Sequence, residues 1–160
     1  MKSIFLSMIA LAASLSAFAA NEGPHAIIAK QAVVIAETLS SGGFRPQSAP
    51  AKWGVRVYDT GHVVRYEDDK ITLIATLSTE VIDGLKQRFA SVQAGALVDP
   101  DKDQPMCTDT PSKSYVVYQN GEALKVASSF GCHTSVSSGS GGYAAYGALE
   151  ALENLAYIYR

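Results

Sequence analysis

Residues 53–69 read WGVRVYDTGHVVRYEDD. Val55 and Val57 alternate with Arg56 and Tyr58, Asp59-Thr60-Gly61 supplies turn-forming residues, and 63–66 return with a second apolar set. This is the period of two and the punctuation of a β-hairpin, and it makes antiparallel sheet the basis of the fold. If Val55, Val57, Val64 and Tyr66 face the core, then Arg56, Tyr58, Val63 and Arg65 share the other face. Arginine and tyrosine combine contact area with directed hydrogen bonds, so Arg56, Tyr58 and Arg65 are candidate partner contacts. The alternative is that the preceding helix or the following loop covers that face.

Outward from the hairpin, Ile71, Leu73, Ala75 and Leu77 alternate with Thr72, Ile74 and Thr76, a third strand. Ser78 or Thr79 can then cap a helix whose stripe of Ile82, Leu85, Phe89 and Val92 steps by three and four, with Glu80 and Asp83 near its positive end and Gly95 as its stop. Residues 97–113 form a polar connection. A second hairpin runs over 115–118 and 122–129 around Asn120-Gly121, the dipeptide best suited to a type I′ turn. Residues 134–142 read as a Ser/Gly-rich loop, and the chain closes in a helix with Tyr146, Leu149, Leu152, Leu155 and Tyr159. Ahead of the first hairpin, 24–40 has helical features, Ile28, Ile35 and Leu39 at spacings of seven and four, although its Val33-Val34-Ile35 run also suits a strand. The expected architecture is α+β: a mainly antiparallel sheet of about five strands, in two hairpins, with two to three helices packed on it, in the order α-βββ-α-ββ-α.

The first nineteen residues carry an address. Lys2 gives a positive start, 4–15 are apolar apart from Ser7 and Ser14, and Ala17-Phe18-Ala19 has the small-x-small pattern of a signal-peptidase site. The expectation is a signal peptide over 1–19 and a single domain over 20–160, periplasmic or secreted, with no cysteine near the cleavage site to take a lipid. No later stretch is apolar for long enough to insert in a membrane. The formal charge is −2, or −3 once Lys2 is removed, and the basic residues are scattered singly, which disfavours nucleic acid as a partner. In an oxidising compartment the two cysteines, Cys107 and Cys132, are expected to form a disulfide. The closed loop of about 26 residues makes that bridge worth roughly 3–3.5 kcal/mol.

Few patterns carry chemistry. Asp59-Thr60-Gly61 spells the aspartic-protease tripeptide, but that reaction needs two carboxylates and the chain has one copy, so the segment reads as a turn. Asp99, Asp101 and Asp103 alternate as calcium ligands do, but Gln104 and Thr110 stand where an EF-hand needs Gly and Glu; a solvated acidic loop is the simpler reading, and calcium is the one cofactor with any sequence support. His25, His62 and His133 are spaced too far apart to form a metal pair. The run 137–143 could cradle an anion at a helix start, but it lacks the phosphate-loop and dinucleotide patterns and otherwise reads as a linker.

Ser140-Gly141-Gly142-Tyr143 resembles the Ser-Gly-x-Tyr loop of the periplasmic lysozyme inhibitors. The resemblance implies that Ser140 and Tyr143, on a protruding loop with Gly141 between them, enter the catalytic cleft of a lysozyme. It covers four residues, and here the loop opens a helix, whereas those families are largely β. No nucleophile, base and orienting partner can be named together, which argues against an enzyme. The sequence therefore points to an exported, non-enzymatic binding or inhibitor-like protein with a protein partner; the alternative is a structural, envelope-associated protein.

Overall fold

The computed structural model describes residues 32–44, 46 and 48–158. Ten elements follow one another: β1 (Val34–Ser41), β2 (Lys52–Tyr58), β3 (His62–Glu67), β4 (Lys70–Thr76), α1 (Thr79–Ala90), β5 (Leu97–Val98), β6 (Ser112–Gln119), β7 (Glu122–Phe130), β8 (His133–Ser137) and α2 (Gly142–Ile158). All eight strands form one antiparallel sheet in the order β4-β3-β2-β1-β6-β7-β8-β5. The expectation of about five strands with two to three helices is thus corrected to eight strands and two helices among the described residues. The α+β class holds in the coarse sense, with sheet predominating.

The largest correction lies in the segment expected as a first helix over 24–40. Its residues 34–41 are β1, at the centre of the sheet between β2 and β6, and its residues 24–31 lie outside the described part of the chain. The expected leader over 1–19 and Tyr159 lie outside it as well. The side chains that β1 turns towards the helices are Ala36, Thr38 and Ser40, all buried. Small and polar residues hide the alternation that betrays most strands. Thr38 is tolerated there because its Oγ1 accepts a hydrogen bond from Val55 N at 3.1 Å. Residues 134–137, expected as loop, belong to β8, and the two-residue β5 is too short for any periodicity to show.

Both helices pack on one face. Phe89 of α1 shares one buried cluster with Ala36, Tyr115, Val117, Val126 and Val136 and with Ala145 and Leu149 of α2. Ile82 of α1 meets Val55, Val57 and Val63 with Leu152 and Ala156 of α2. Ile35 and Leu85 touch both clusters and join them. The expected stripe Ile82, Leu85, Phe89 and Val92 is therefore the buried one, and Ser78 is the N-cap, its Oγ accepting from Val81 N. The helix stops at Ala90, before Gly95, because Ser91 caps its end through bonds to Arg88 O and Phe89 O. Gln119, at the tip of the β6–β7 hairpin, donates its side-chain amide to Phe89 O and Val92 O, which satisfies carbonyls that a helix end leaves open.

The register of the first hairpin also overturns the expected division of faces. Val57 pairs with Val63, Arg56 with Val64, Val55 with Arg65 and Gly54 with Tyr66. Residues directly opposite in an antiparallel pair share a face, so Val63 and Arg65 lie with Val55 and Val57 on the helix side. Arg56, Tyr58, Val64 and Tyr66 share the other. The three residues between Tyr58 and His62 pair odd positions with odd ones, and a one-residue difference moves every side chain to the opposite face.

Candidate partner interface

The turn that carries Ser140 and Tyr143 is built from backbone contacts. β8 ends at Ser137, and the chain then runs antiparallel to the segment that follows α1. Ser138 N donates to Ala96 O at 2.9 Å, and Gln93 N donates to Ser140 O at 2.9 Å. Between those two bonds Gly139 and Gly95 meet face to face: a Cβ on Gly95 would strike Gly139 N, and one on Gly139 would strike Gln93 O. Gly141, at φ +78°, reverses the chain into α2, where Ala145 N donates to Gly141 O. The glycines that give this stretch its linker-like composition are there because two backbones touch.

Ser140 and Tyr143 both point outward from this braced turn, Tyr143 with 64% of its surface exposed. Gly141 is half-buried, and Gly142 is buried against Ser137. The loop proper is thus 138–141, shorter than the 134–142 expected.

Arg56 and Tyr58 are on the sheet face that no described helix covers. Arg56 Nε bonds Glu37 Oε2 at 2.9 Å, and its guanidinium lies 4.4 Å from the centroid of the Tyr66 ring. Tyr118 donates to the other Glu37 oxygen at 2.7 Å, and Tyr66 donates to Thr38 O at 2.7 Å beside Gly54, where a Cβ would collide with that carbonyl and with the Tyr66 hydroxyl. Burial and the Glu37 charge push the Tyr66 hydroxyl far up, with Arg56 opposing. Burial and the bond to Glu37 push Tyr118 up to about 12. Arg56 keeps 36% of its side chain exposed, whereas Tyr58 is buried. Arg65, on the helix side, faces Glu67 at 3.5 Å. The three residues expected to form one surface are therefore divided: Arg56 is open, Tyr58 is covered and Arg65 belongs to the other face. Glu37, Tyr66 and Tyr118 escape a reading from sequence, because the segment holding Glu37 suits a helix and alternation alone sends Tyr66 to the core.

A second polar group lies between sheet and helix. Glu153 of α2 is buried and receives Lys113 Nζ at 2.9 Å and the Tyr115 hydroxyl at 3.2 Å. Tyr115 meets Tyr146 edge-on, with ring centroids 5.0 Å apart, and Tyr146 donates to Glu150 at 2.9 Å. These groups are mutually satisfied, and their place under α2 is a packing role.

Cys107 and Cys132 are joined as a disulfide, and both residues have solvent access. The acidic loop is anchored through Asp99. Asp99 Oδ2 pairs with His133 Nδ1 at 2.7 Å, its Oδ1 accepts from Asp101 N at 2.8 Å, and Asp101 and Asp103 are exposed. Among the described residues no three His, Cys, Asp or Glu side chains gather as metal ligands do. The Asp59-Thr60-Gly61 turn binds its own chain: Asp59 Oδ1 accepts from Val33 N at 3.0 Å, and Gly61 sits at φ +91°. The cleft beside the β6–β7 tip is lined by Gln93, Gln119, Asn120 and Glu122 together with Val92, Ala94 and Leu124, a set with one carboxylate and no base or nucleophile beside it. No described helix is long and apolar enough to cross a membrane.

Comparison with family models, with curated proteins and with solved structures returned no match to this chain.

Proposed function

We propose that the protein is an exported, non-enzymatic binding protein, inhibitor-like in action, that offers Ser140 and Tyr143 to a protein partner. The observation that carries this reading is the bracing of 138–141 against 93–96, which leaves both side chains outside. A contact loop whose backbone is already fixed in the free protein avoids the cost of ordering that backbone on binding. An exposed tyrosine supplies a large, stiff anchor with a hydroxyl at its tip. The open face bearing Arg56 is a secondary contact.

The test is capture from the compartment to which the protein is exported. Immobilised wild type retains a partner, Tyr143→Ala and Ser140→Ala lose it at least tenfold, and their melting temperatures stay within about 2 °C of wild type. The resemblance at 140–143 makes lysozyme the first partner to assay, by protection of cell walls from lysis. If both variants capture the same partner as well as wild type, the turn is not the contact surface.

A further inference from the structure

Strand β5 covers only part of the outer edge of β8. β5 pairs with it over two residues, Leu97 opposite Ser137 and Val98 opposite Val136. Beyond Val98 the chain stays alongside β8 but stops making ladder bonds. Asp99 is anchored to His133, Pro105 O lies 3.4 Å from His133 Nε2, and Cys107 is bonded to Cys132. Gly131, at φ +63°, lets the Cys107 carbonyl come close; a Cβ there would lie 2.7 Å from that oxygen.

The segment 99–107 is therefore a loop pinned at both ends beside the turn between β7 and β8. Every residue from 100 to 110 is exposed, so burial contributes little to holding it. Its anchors on β8 and the preceding turn are adjacent in sequence, Cys132 and His133.

We propose that residues 99–107 form a clasp on the edge of β8 that thiol–disulfide exchange at Cys107–Cys132 opens while the rest of the fold persists. Both sulfurs belong to residues with solvent access, so a soluble dithiol can reach them. Its thiolate attacks Cys107 Sγ, forming a mixed disulfide and releasing the Cys132 thiolate. The dithiol's second thiolate then displaces Cys107. Two electrons pass from dithiol to protein, the dithiol becomes a disulfide, and Cys107 and Cys132 take up protons as thiols. Cys132 is the leaving group because Cys107 N–H lies 3.2 Å from its sulfur and stabilises the departing charge. The two cores contain neither cysteine, so opening leaves them intact.

Trypsin reads the opening, because Lys102 lies within the clasp and Arg56 and Lys113 lie within the sheet. Dithiothreitol should speed cleavage after Lys102 at least tenfold and leave Arg56 and Lys113 uncut, and the Cys107→Ser/Cys132→Ser protein should be cut after Lys102 just as fast without reductant. A monothiol trap should leave its adduct on Cys107. The proposal is overturned if cleavage after Lys102 is unchanged by reduction. It is equally overturned if Arg56 and Lys113 are cut at the same rate as Lys102, since the bridge would then hold the whole fold. An adduct on Cys132 overturns the direction of attack.

Discussion

Gly95 and Gly139 face each other so closely that neither can carry a side chain: a Cβ on Gly95 would meet the backbone N of Gly139, and one on Gly139 would meet the backbone on either side of Ala94. This contact turns a Ser/Gly-rich stretch into a fixed support for Ser140 and Tyr143. Gly139→Ala should cost about 1–3 kcal/mol in urea unfolding, the range for forcing atoms into a packed site, and should weaken partner capture although Tyr143 is untouched. Gly147, in the middle of α2, is the control, because a Cβ there would have nothing within 4 Å. Gly147→Ala should stabilise by about 0.5–1 kcal/mol.

Removing Glu153 should be costly, because Lys113 and Tyr115 both donate to it under α2. Glu153→Ala strands an ammonium and a hydroxyl; with 28% of the Lys113 side chain still in contact with water, the loss should be about 2–4 kcal/mol. Glu153→Leu combined with Lys113→Met should recover the part due to the ammonium, since an apolar pair can replace a buried ion pair at little cost, and leave the part due to the Tyr115 hydroxyl. Denaturant midpoints of Glu153→Ala and of the double variant decide the matter.

Stability should vary with pH through Asp99 and His133. The bond to Asp99 raises His133 above its ordinary 6.5, so its contribution is complete below that value and is lost as pH rises through the raised one. The bond to His133 lowers Asp99 below its ordinary 3.8, so its contribution is present above that value and is lost as pH falls through the lowered one. The pair thus supports the fold most fully between about pH 4 and 6.5. Melting temperature measured against pH should show a shoulder on each side of this window, and Asp99→Asn should flatten both.

Tyr66, Tyr115, Tyr118 and Tyr146 should resist alkali. Burial, with neighbouring carboxylates, pushes Tyr118 and Tyr146 up to about 12 and Tyr66 and Tyr115 further still. An absorbance titration at 295 nm on folded protein should leave these four un-ionised at pH 11, and unfolding should release them. Because their folded values are raised, their contribution is complete below about pH 10 and declines above it. Tyr66→Phe should lower stability by about 1 kcal/mol through loss of its bond to Thr38 O.

The parts of the fold that can be read from sequence are those whose own residues announce their period. Ile82, Leu85, Phe89 and Val92 mark α1 because the stripe is apolar throughout, and Asn120-Gly121 marks its hairpin because both residues hold positive φ, 51° and 84°. β1 escapes because its buried side chains are Ala36, Thr38 and Ser40, and their burial is decided by Tyr115 and Val117 far along the chain. The division of Arg56 from Arg65 escapes because it depends on hairpin register, a property of two strands together. In the candidate interface, Ser140 and Tyr143 are legible as residue types, but their rigid support is not, since it comes from the contact between Gly95 and Gly139 across 44 positions.

The position of β1 sets the order in which the molecule can be finished. The first strand of the sheet needs β6 as a neighbour, and the Glu37–Tyr118 bond spans 81 residues. Until β6 is available, β1 has a partner on one side only, and the two halves of the sheet have no seam. Such long-range closure is slow compared with local hairpin formation. Closure of the sheet thus waits on the C-terminal half of the chain: β6 must reach β1 before the two halves of the sheet share a seam.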